Sequence, residues 1–318
     1  MNKAPRLAIV VPCYNEEEVF ASTEVALRRL IAEMEGEGLV APGSFVAYVD
    51  DGSKDKTWQL IERAAEEFPG IDCGVKLGHN AGHQNALLAG LEAVAGKCDA
   101  VVSIDADLQD DIRAIPKMVR EYIAGSEIVY GVRDSRETDT WFKRTSAEGF
   151  YKTMNRLGVE SISNHADFRL MSARAAKELL RYKENNIFLR GIVPKIGLKQ
   201  SRVLYDRKPR QAGESKYPLR KMVNFAVEGI TSFSIKPVRF VFLIGVIFMI
   251  VAFFIFIYTL CRYFSGETII GWTSLMLSIW FCSGVLLVAL GIVGEYVGKI
   301  FLEVKDRPRY VIEELKGL

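Results

Sequence analysis

Roughly the first 135 residues alternate short β-rich runs with amphipathic helical patterns, and this alternation limits the fold more than any other feature of the chain. Leu7–Val11, Phe45–Val49, Cys73–Lys76, Ala100–Ile104 and Ile128–Val132 read as strands. Between them, Glu16–Glu35, Thr57–Phe68, Gly82–Ala95 and Ile112–Ala124 carry apolar residues at helical spacing. A β-α-β-α order predicts a doubly wound, mostly parallel α/β sheet whose ligands gather at the carboxyl ends of its strands. Polar clusters stand at three of those ends. Pro12-Cys13-Tyr14-Asn15-Glu16 follows the first strand, Asp50-Asp51-Gly52-Ser53 the second, and Asp105-Ala106-Asp107 the fourth.

Two carboxylates spaced i, i+2 where a buried strand opens into a loop can grip one hard divalent cation, leaving positions open for phosphate oxygens. The structural alternative for Asp105 and Asp107 is a turn before Pro116, where Asp is common. Helix capping accounts for Ser53, Asp55 and Thr57, and Gly52 permits a tight turn. It does not account for Asp50, whose carboxylate is expected to emerge at the strand tip, where a base or ribose would meet it. Asn15 and Glu16 read as cap and first-turn acid, and the two loops together would form one wall of a nucleoside pocket. The small residues of Asn80-Ala81-Gly82-His83-x-x-Ala86-x-x-x-Gly90 read as close packing on the sheet. His79, His83 and His165 have no ligand-spaced partners and are assigned to no metal.

The second half changes solvent. Residues 136 to about 218 are more polar, with helices expected near Trp141–Leu157 and Ala173–Tyr182, and Lys216–Ser232 reads as an amphipathic helix. Phe240–Tyr263 and Gly271–Gly294 are apolar spans of about 24 residues, each long enough to cross a bilayer core of ~30 Å. The short connector Ser265–Ile270 predicts an antiparallel hairpin. Lys236, Arg239, Lys299, Lys305, Arg307 and Arg309 flank the spans on one side, so the positive-inside rule predicts that both termini are cytosolic. The expected organisation is therefore a cytosolic catalytic domain over 1–215, an interfacial helix over 216–237, two membrane helices within 238–301 (about 240–263 and 271–294), and a cytosolic tail over 302–318. Gly294-x-x-x-Gly298 is compatible with a homo-oligomer in the membrane. A formal net charge of +2 argues against nucleic acid as a partner. Five cysteines without paired spacing read as reduced thiols, and with no signal-peptide pattern at the start the catalytic domain is expected in the cytosol.

The ordered motifs carry a resemblance. Val10-Val11-Pro12-Cys13-Tyr14-Asn15-Glu16, Asp50-Asp51-Gly52-Ser53, Asp105-Ala106-Asp107-Leu108-Gln109, Asp167-Phe168-Arg169-Leu170 and Arg210-x-x-Gly213-x-Ser215-Lys216 occur in that order, ahead of the membrane spans. This set resembles the inverting glycosyltransferase family 2, with its GT-A fold. More narrowly, it resembles the polyprenyl-phosphate glycosyltransferases, a group that includes dolichol-phosphate mannose synthases and bactoprenol glucosyltransferases. The resemblance implies that Pro12, Tyr14, Glu16 and Asp50 hold the nucleoside, and that Asp105, Asp107 and Gln109 hold Mg²⁺ or Mn²⁺ on the diphosphate. It implies that Asp107, Asp167, Arg133 and Arg210 act in catalysis, with Asp167 orienting substrate. Arg133, Arg144, Arg169, Arg210 and Lys216 are the candidate cations for the acceptor phosphate, since guanidinium forks suit phosphate oxygens. Arg207, Lys208, Arg220 and Lys221 extend that basic stretch, which attraction to anionic headgroups would also explain.

The function implied is transfer of a sugar, glucose from UDP-glucose as the first choice, to undecaprenyl or dolichyl phosphate at the cytosolic face. The protein would then be an integral, multi-pass protein of the cytoplasmic (inner) membrane. The same reaction with GDP-mannose or another nucleotide sugar is the nearest alternative. A processive polysaccharide synthase is disfavoured, because no Gln-x-x-Arg-Trp occurs and two helices are too few for a channel. An inactive membrane scaffold is disfavoured by the intact acidic and basic motif residues.

Overall fold

The structure, a computed structural model, describes residues 4–133, 165–184, 187–205, scattered helical positions between 238 and 258, and residues 271–317. The described strands are β1 (Leu7–Cys13), β2 (Phe45–Asp50), β3 (Asp72–Leu77), β4 (Ala100–Ser103), β5 (Ile128–Arg133), β6 (His165–Ser172), β7 (Gln200–Tyr205) and β8 (Ile312–Lys316). They form one sheet in the order β7-β5-β6-β4-β1-β2-β3-β8. β1 pairs in parallel with β2 and β4, β2 with β3, and β5 with β7; β6 and β8 run antiparallel to their neighbours. The expected mostly parallel α/β sheet is what the chain builds. Fully buried strands such as β1 and β2 read as near-continuous apolar runs because helices cover both faces.

The helices are α1 (Glu17–Gly36), α2 (Thr57–Glu67), α3 (His83–Val94), α4 (Ala114–Ile123), α5 (Ala173–Leu180), the single turn α6 (Leu189–Ile192) and α7 (Trp272–Val304). α1 buries Phe20, Leu27, Leu30, Ile31 and Met34, which share one face at three- and four-residue spacing. α3 packs tightly on the sheet. A Cβ added at Gly90 would press on the Val10 side chain and come within 2.7 Å of Val49 Cγ2, so the small residue sets how near α3 approaches.

Register delivers the site. Ser103 at the end of β4 stands opposite Arg169 of antiparallel β6. Continuing that pairing by two residues on each strand brings Asp105 and Asp167 to one edge, where β1 and β2 also end.

Two features differ from the sequence reading. The tail expected over 302–318 supplies β8, which pairs antiparallel with β3 at the sheet edge. Gly78 N–H donates to Val311 O (3.0 Å), and Tyr310 Oη–H donates to Glu92 of α3 (2.6 Å). The helix expected to end at Gly294 continues to Val304, and α7 with its 33 residues is about 50 Å long. Its apolar side chains are exposed, Leu286, Leu287, Val288 and Leu290 each by more than 60%. The segment Phe281–Val304, with mean hydropathy 2.0, is long and apolar enough to cross a membrane. The described positions between 238 and 258 are helical. The expected helices Trp141–Leu157 and Lys216–Ser232 and the connector Ser265–Ile270 lie outside the described residues. The sheet and its helices, β8 included, form one compact unit, and α7 belongs to a second.

Candidate active site

The loops after β1 and β2 are stitched together. Asn15 adopts a left-handed backbone (φ 54), which Asn tolerates better than most residues. Its amide donates to Ser53 Oγ (3.0 Å), and its Oδ1 accepts from Lys54 N–H (2.9 Å). Glu16 N–H donates to Thr57 Oγ1 (2.9 Å), and Lys56 N–H donates to Glu17 (3.0 Å). Tyr14 is exposed, Glu16 is half-buried and Pro12 is buried at the end of β1. The two loops are thus joined at the strand ends, and one residue differs from the sequence reading. Asp50 does not emerge at the strand tip; it is 1% exposed and accepts from Ser53 N–H at 3.3 Å. Gly52, in the left-handed region at φ 67, turns the chain back over it. Burial raises the Asp50 carboxyl above its ordinary value.

Asp51 organises the next loop. Its carboxylate accepts from Ala81 N–H (2.7 Å) and Gly82 N–H (3.0 Å), immediately before α3. α3 therefore begins at a fixed point, and its first residue, His83, reaches the acidic cluster. His83 Nε2 lies 3.5 Å from Asp105 Oδ1 and 3.9 Å from Asp167 Oδ2.

The Asp105-Ala106-Asp107 turn is held from behind. Thr23 Oγ1 of α1 donates to Ala106 O (2.6 Å), and Tyr205 Oη of β7 donates to buried Asp110 (2.6 Å). Gln109 Nε2 donates to Asp107 Oδ2 (2.7 Å). Leu108 sits at φ 43, a left-handed conformation that costs a bulky residue roughly 1–3 kcal/mol. Strain of this kind persists only where surrounding contacts impose it. Burial pushes the Asp105 carboxyl up to about 6; His83 offsets part of that, while Asp167, Asp110 and Asp107 add to it.

Asp167 behaves in the opposite way. Arg169 Nη2 donates to its Oδ1 (2.7 Å), and Arg190 of α6 donates to Oδ2 (3.0 Å) and Oδ1 (3.3 Å). Burial alone would raise this carboxyl, but the two guanidiniums outweigh burial and hold it well below the usual carboxylate range. Such a group is a poor proton acceptor at neutral pH.

A second correction concerns Arg169. It is fully buried, with Nε and Nη2 donating to Asp167, and it has no surface to offer an acceptor phosphate. The backbone of Arg133 closes β5; its side chain, and Arg144, Arg210 and Lys216, lie outside the described residues. Two residues at the cluster had no signal as ligands. His83 lacks a spaced partner, and Arg190 is a single cation in a four-residue turn.

The donor set fits a divalent cation. Hard carboxylate oxygens from Asp105 and Asp107 crowd one turn beside Asp110 and Asp167, and the crowding is what lifts Asp105 further. Among the described residues, no three His, Cys, Asp or Glu side chains gather into a cage. A cation here would complete its shell with phosphate oxygens and water, as small hard cations do.

Comparison with known proteins identifies the family. The profile of Glycosyl transferase family 2 matches residues 8–180. The uncharacterized glycosyltransferase YkoT of Bacillus subtilis is 53% identical over 97% of this chain and 91% of its own length. The bactoprenol glucosyl transferase of Shigella phage SfX is 38% identical over 98% of this chain and 100% of its own. Among solved structures, glucosyl-3-phosphoglycerate synthase from Mycobacterium tuberculosis, in complex with Mn²⁺, UDP and glucosyl-3-phosphoglycerate, aligns with a TM-score of 0.42. It is 19% identical, covering 71% of this chain and 78% of that one.

Proposed function

This chain belongs to glycosyl transferase family 2 and is a glycosyltransferase, and from that premise we propose that it transfers glucose from UDP-glucose to a polyprenyl phosphate, with inversion. One observation carries the reading: Asp105 and Asp167 face a common imidazole at the strand-end edge, one held high by burial with neighbouring carboxylates adding to it and the other low by two arginines. The first environment suits a divalent cation and the second suits an orienting anion. The name carried by the phage relative, bactoprenol glucosyl transferase, supports the choice of sugar and acceptor.

Mg²⁺ or Mn²⁺ held by Asp105 and Asp107, with Gln109 beside them, would supply Lewis-acid relief of the charge on the departing nucleoside diphosphate. Tyr14 and Glu16 would line the nucleoside, with Pro12 and Asp50 as its floor. The acceptor needs no strong base, because a phosphate monoester with a second pKa near ~6 is already largely dianionic at neutral pH. Asp167 therefore orients substrate rather than taking a proton. Arg133, Arg144, Arg210 and Lys216 remain the cations proposed for the acceptor phosphate.

Chain connectivity supports the membrane hairpin. β7 and β8 belong to the same sheet, so a chain that crosses a bilayer between them must cross an even number of times. If α7 is one crossing, Phe240–Tyr263 is the natural second. The proposed placement is multi-pass in the cytoplasmic membrane, with the catalytic unit and both termini on the basic, cytosolic side.

The test is purified enzyme in detergent with undecaprenyl phosphate and radiolabelled UDP-glucose, GDP-mannose, UDP-galactose and UDP-N-acetylglucosamine in parallel. Label from UDP-glucose should move to the lipid fastest. Preference for another donor would replace the sugar, and no lipid product with any donor would overturn the acceptor.

A further inference from the structure

Asp167 sits under a double clamp that the family motifs do not account for. Arg169 lies two residues along β6 and so shares its face, holding one carboxylate oxygen from within the strand. A single-sided contact leaves the carboxylate free to turn about its last torsion. Arg190 removes that freedom. Its Nε and Nη2 reach Oδ1 and Oδ2 at 3.3 and 3.0 Å, the side-on fork that a guanidinium makes and an ammonium does not.

The turn that carries Arg190 is itself tied to the site. Leu189 N–H donates to Gln84 Oε1 of α3 (2.8 Å), and Gln84 follows His83 directly. Leu189 and Ile192 are buried on either side of the arginine, at 0% and 1% exposure. One helix start thus fixes both His83 and the segment that clamps Asp167. Among the described residues, the charged groups facing Asp167 are Arg169 from β6, Arg190 from α6, His83 from α3 and Asp105 from the loop after β4.

We infer that Arg190 is a positioning residue for the transfer: it fixes the Asp167 carboxylate in one orientation facing His83 and Asp105, and it acts on the reaction only through Asp167. The inference rests on the proposed reading of Asp167 as the substrate-orienting anion.

A double-mutant cycle over Arg190→Gln and Asp167→Asn tests it, with single-turnover transfer as the readout. Arg190→Gln alone should cut the transfer rate by about 10- to 100-fold, the scale expected when a reacting group is misplaced, while the donor KM changes less than about threefold. In the Asp167→Asn background the same substitution should cost less than about twofold. Arg190→Lys, which keeps the charge without the fork, should fall between wild type and Arg190→Gln. Losses that multiply in the double variant would show that Arg190 acts by itself and would overturn the inference. A fall in activity that merely follows a fall in melting temperature across these variants would overturn it too.

A second arm needs no turnover. In protein carrying ¹³C-carboxyl aspartate, the signal lost in Asp167→Asn identifies this residue. It should titrate at higher pH in Arg190→Gln than in wild type, and an unchanged titration would refute the clamp. Absence of transfer in the wild type would instead count against the proposed function, leaving this arm to decide on Arg190.

Discussion

Gly52→Ala is expected to disable the donor side of the site through backbone geometry alone. A Cβ at this position would lie 2.6 Å from Asn80 N and 2.7 Å from His79 C, both backbone atoms that cannot rotate away. Restoring ordinary contact requires the two loops to separate by about 0.8 Å, the difference between 2.6 Å and the 3.4 Å at which normal contact begins. The left-handed φ of 67 adds roughly 1–2 kcal/mol for any residue with a Cβ. Separation also stretches the Ala81 and Gly82 amides away from Asp51, a carboxylate only 3% exposed. Weakening one such bond to a buried acceptor costs about 1–3 kcal/mol. The sum is about 2–5 kcal/mol, and the start of α3, with His83, moves with the loop. Urea unfolding should show the stability loss, and the transfer assay should show a raised donor KM. A variant within about 0.5 kcal/mol of wild type, with unchanged donor KM, would refute the coupling of these loops.

Asp72 gives the clearest pH dependence. It is fully buried, 3.5 Å from Arg28, which also pairs with Glu24 at 2.9 Å, and burial pushes its carboxyl up to about 7. The folded protein holds this proton more tightly than the unfolded chain, so stability falls as pH rises from about 4 to 7, by up to about 4 kcal/mol. Asp72→Asn should flatten that slope and stabilise the protein above pH 7; a parallel pair of curves would contradict the assignment. Ending the chain at residue 309 removes β8 and bares the β3 edge, which should lower the melting temperature and promote aggregation; an unchanged melt would show that β8 contributes nothing to the sheet.

The sheet was legible where local pattern decides it. β1 to β5 and α1 to α4 lie within two residues of their expected bounds, because apolar runs and helical stripes alternate cleanly up to Arg133. β8 was not legible: Ile312–Lys316 is mostly charged and becomes a strand only against β3, far away in the chain. β6 was missed because it carries Arg169 in its middle, a residue tolerated there only because Asp167 pairs with it. At the site, Asp105 and Asp107 were visible because a strand end presents them. Arg190 and His83 were not, since their roles arise from contacts across the fold rather than from spacing. Asp50 reads as emergent because the sequence shows the strand tip but not the left-handed turn at Gly52 that covers it.

The central claim is tested most directly by measuring glucose transfer to undecaprenyl phosphate in excess chelator, then after Mg²⁺ or Mn²⁺ is restored, with wild type beside a variant carrying Asp105→Asn and Asp107→Asn. Lipid-linked glucose should vanish with chelator and return with metal in the wild type, and stay at background in the variant. Full-rate product in chelator, or from the doubly substituted protein, would contradict the account.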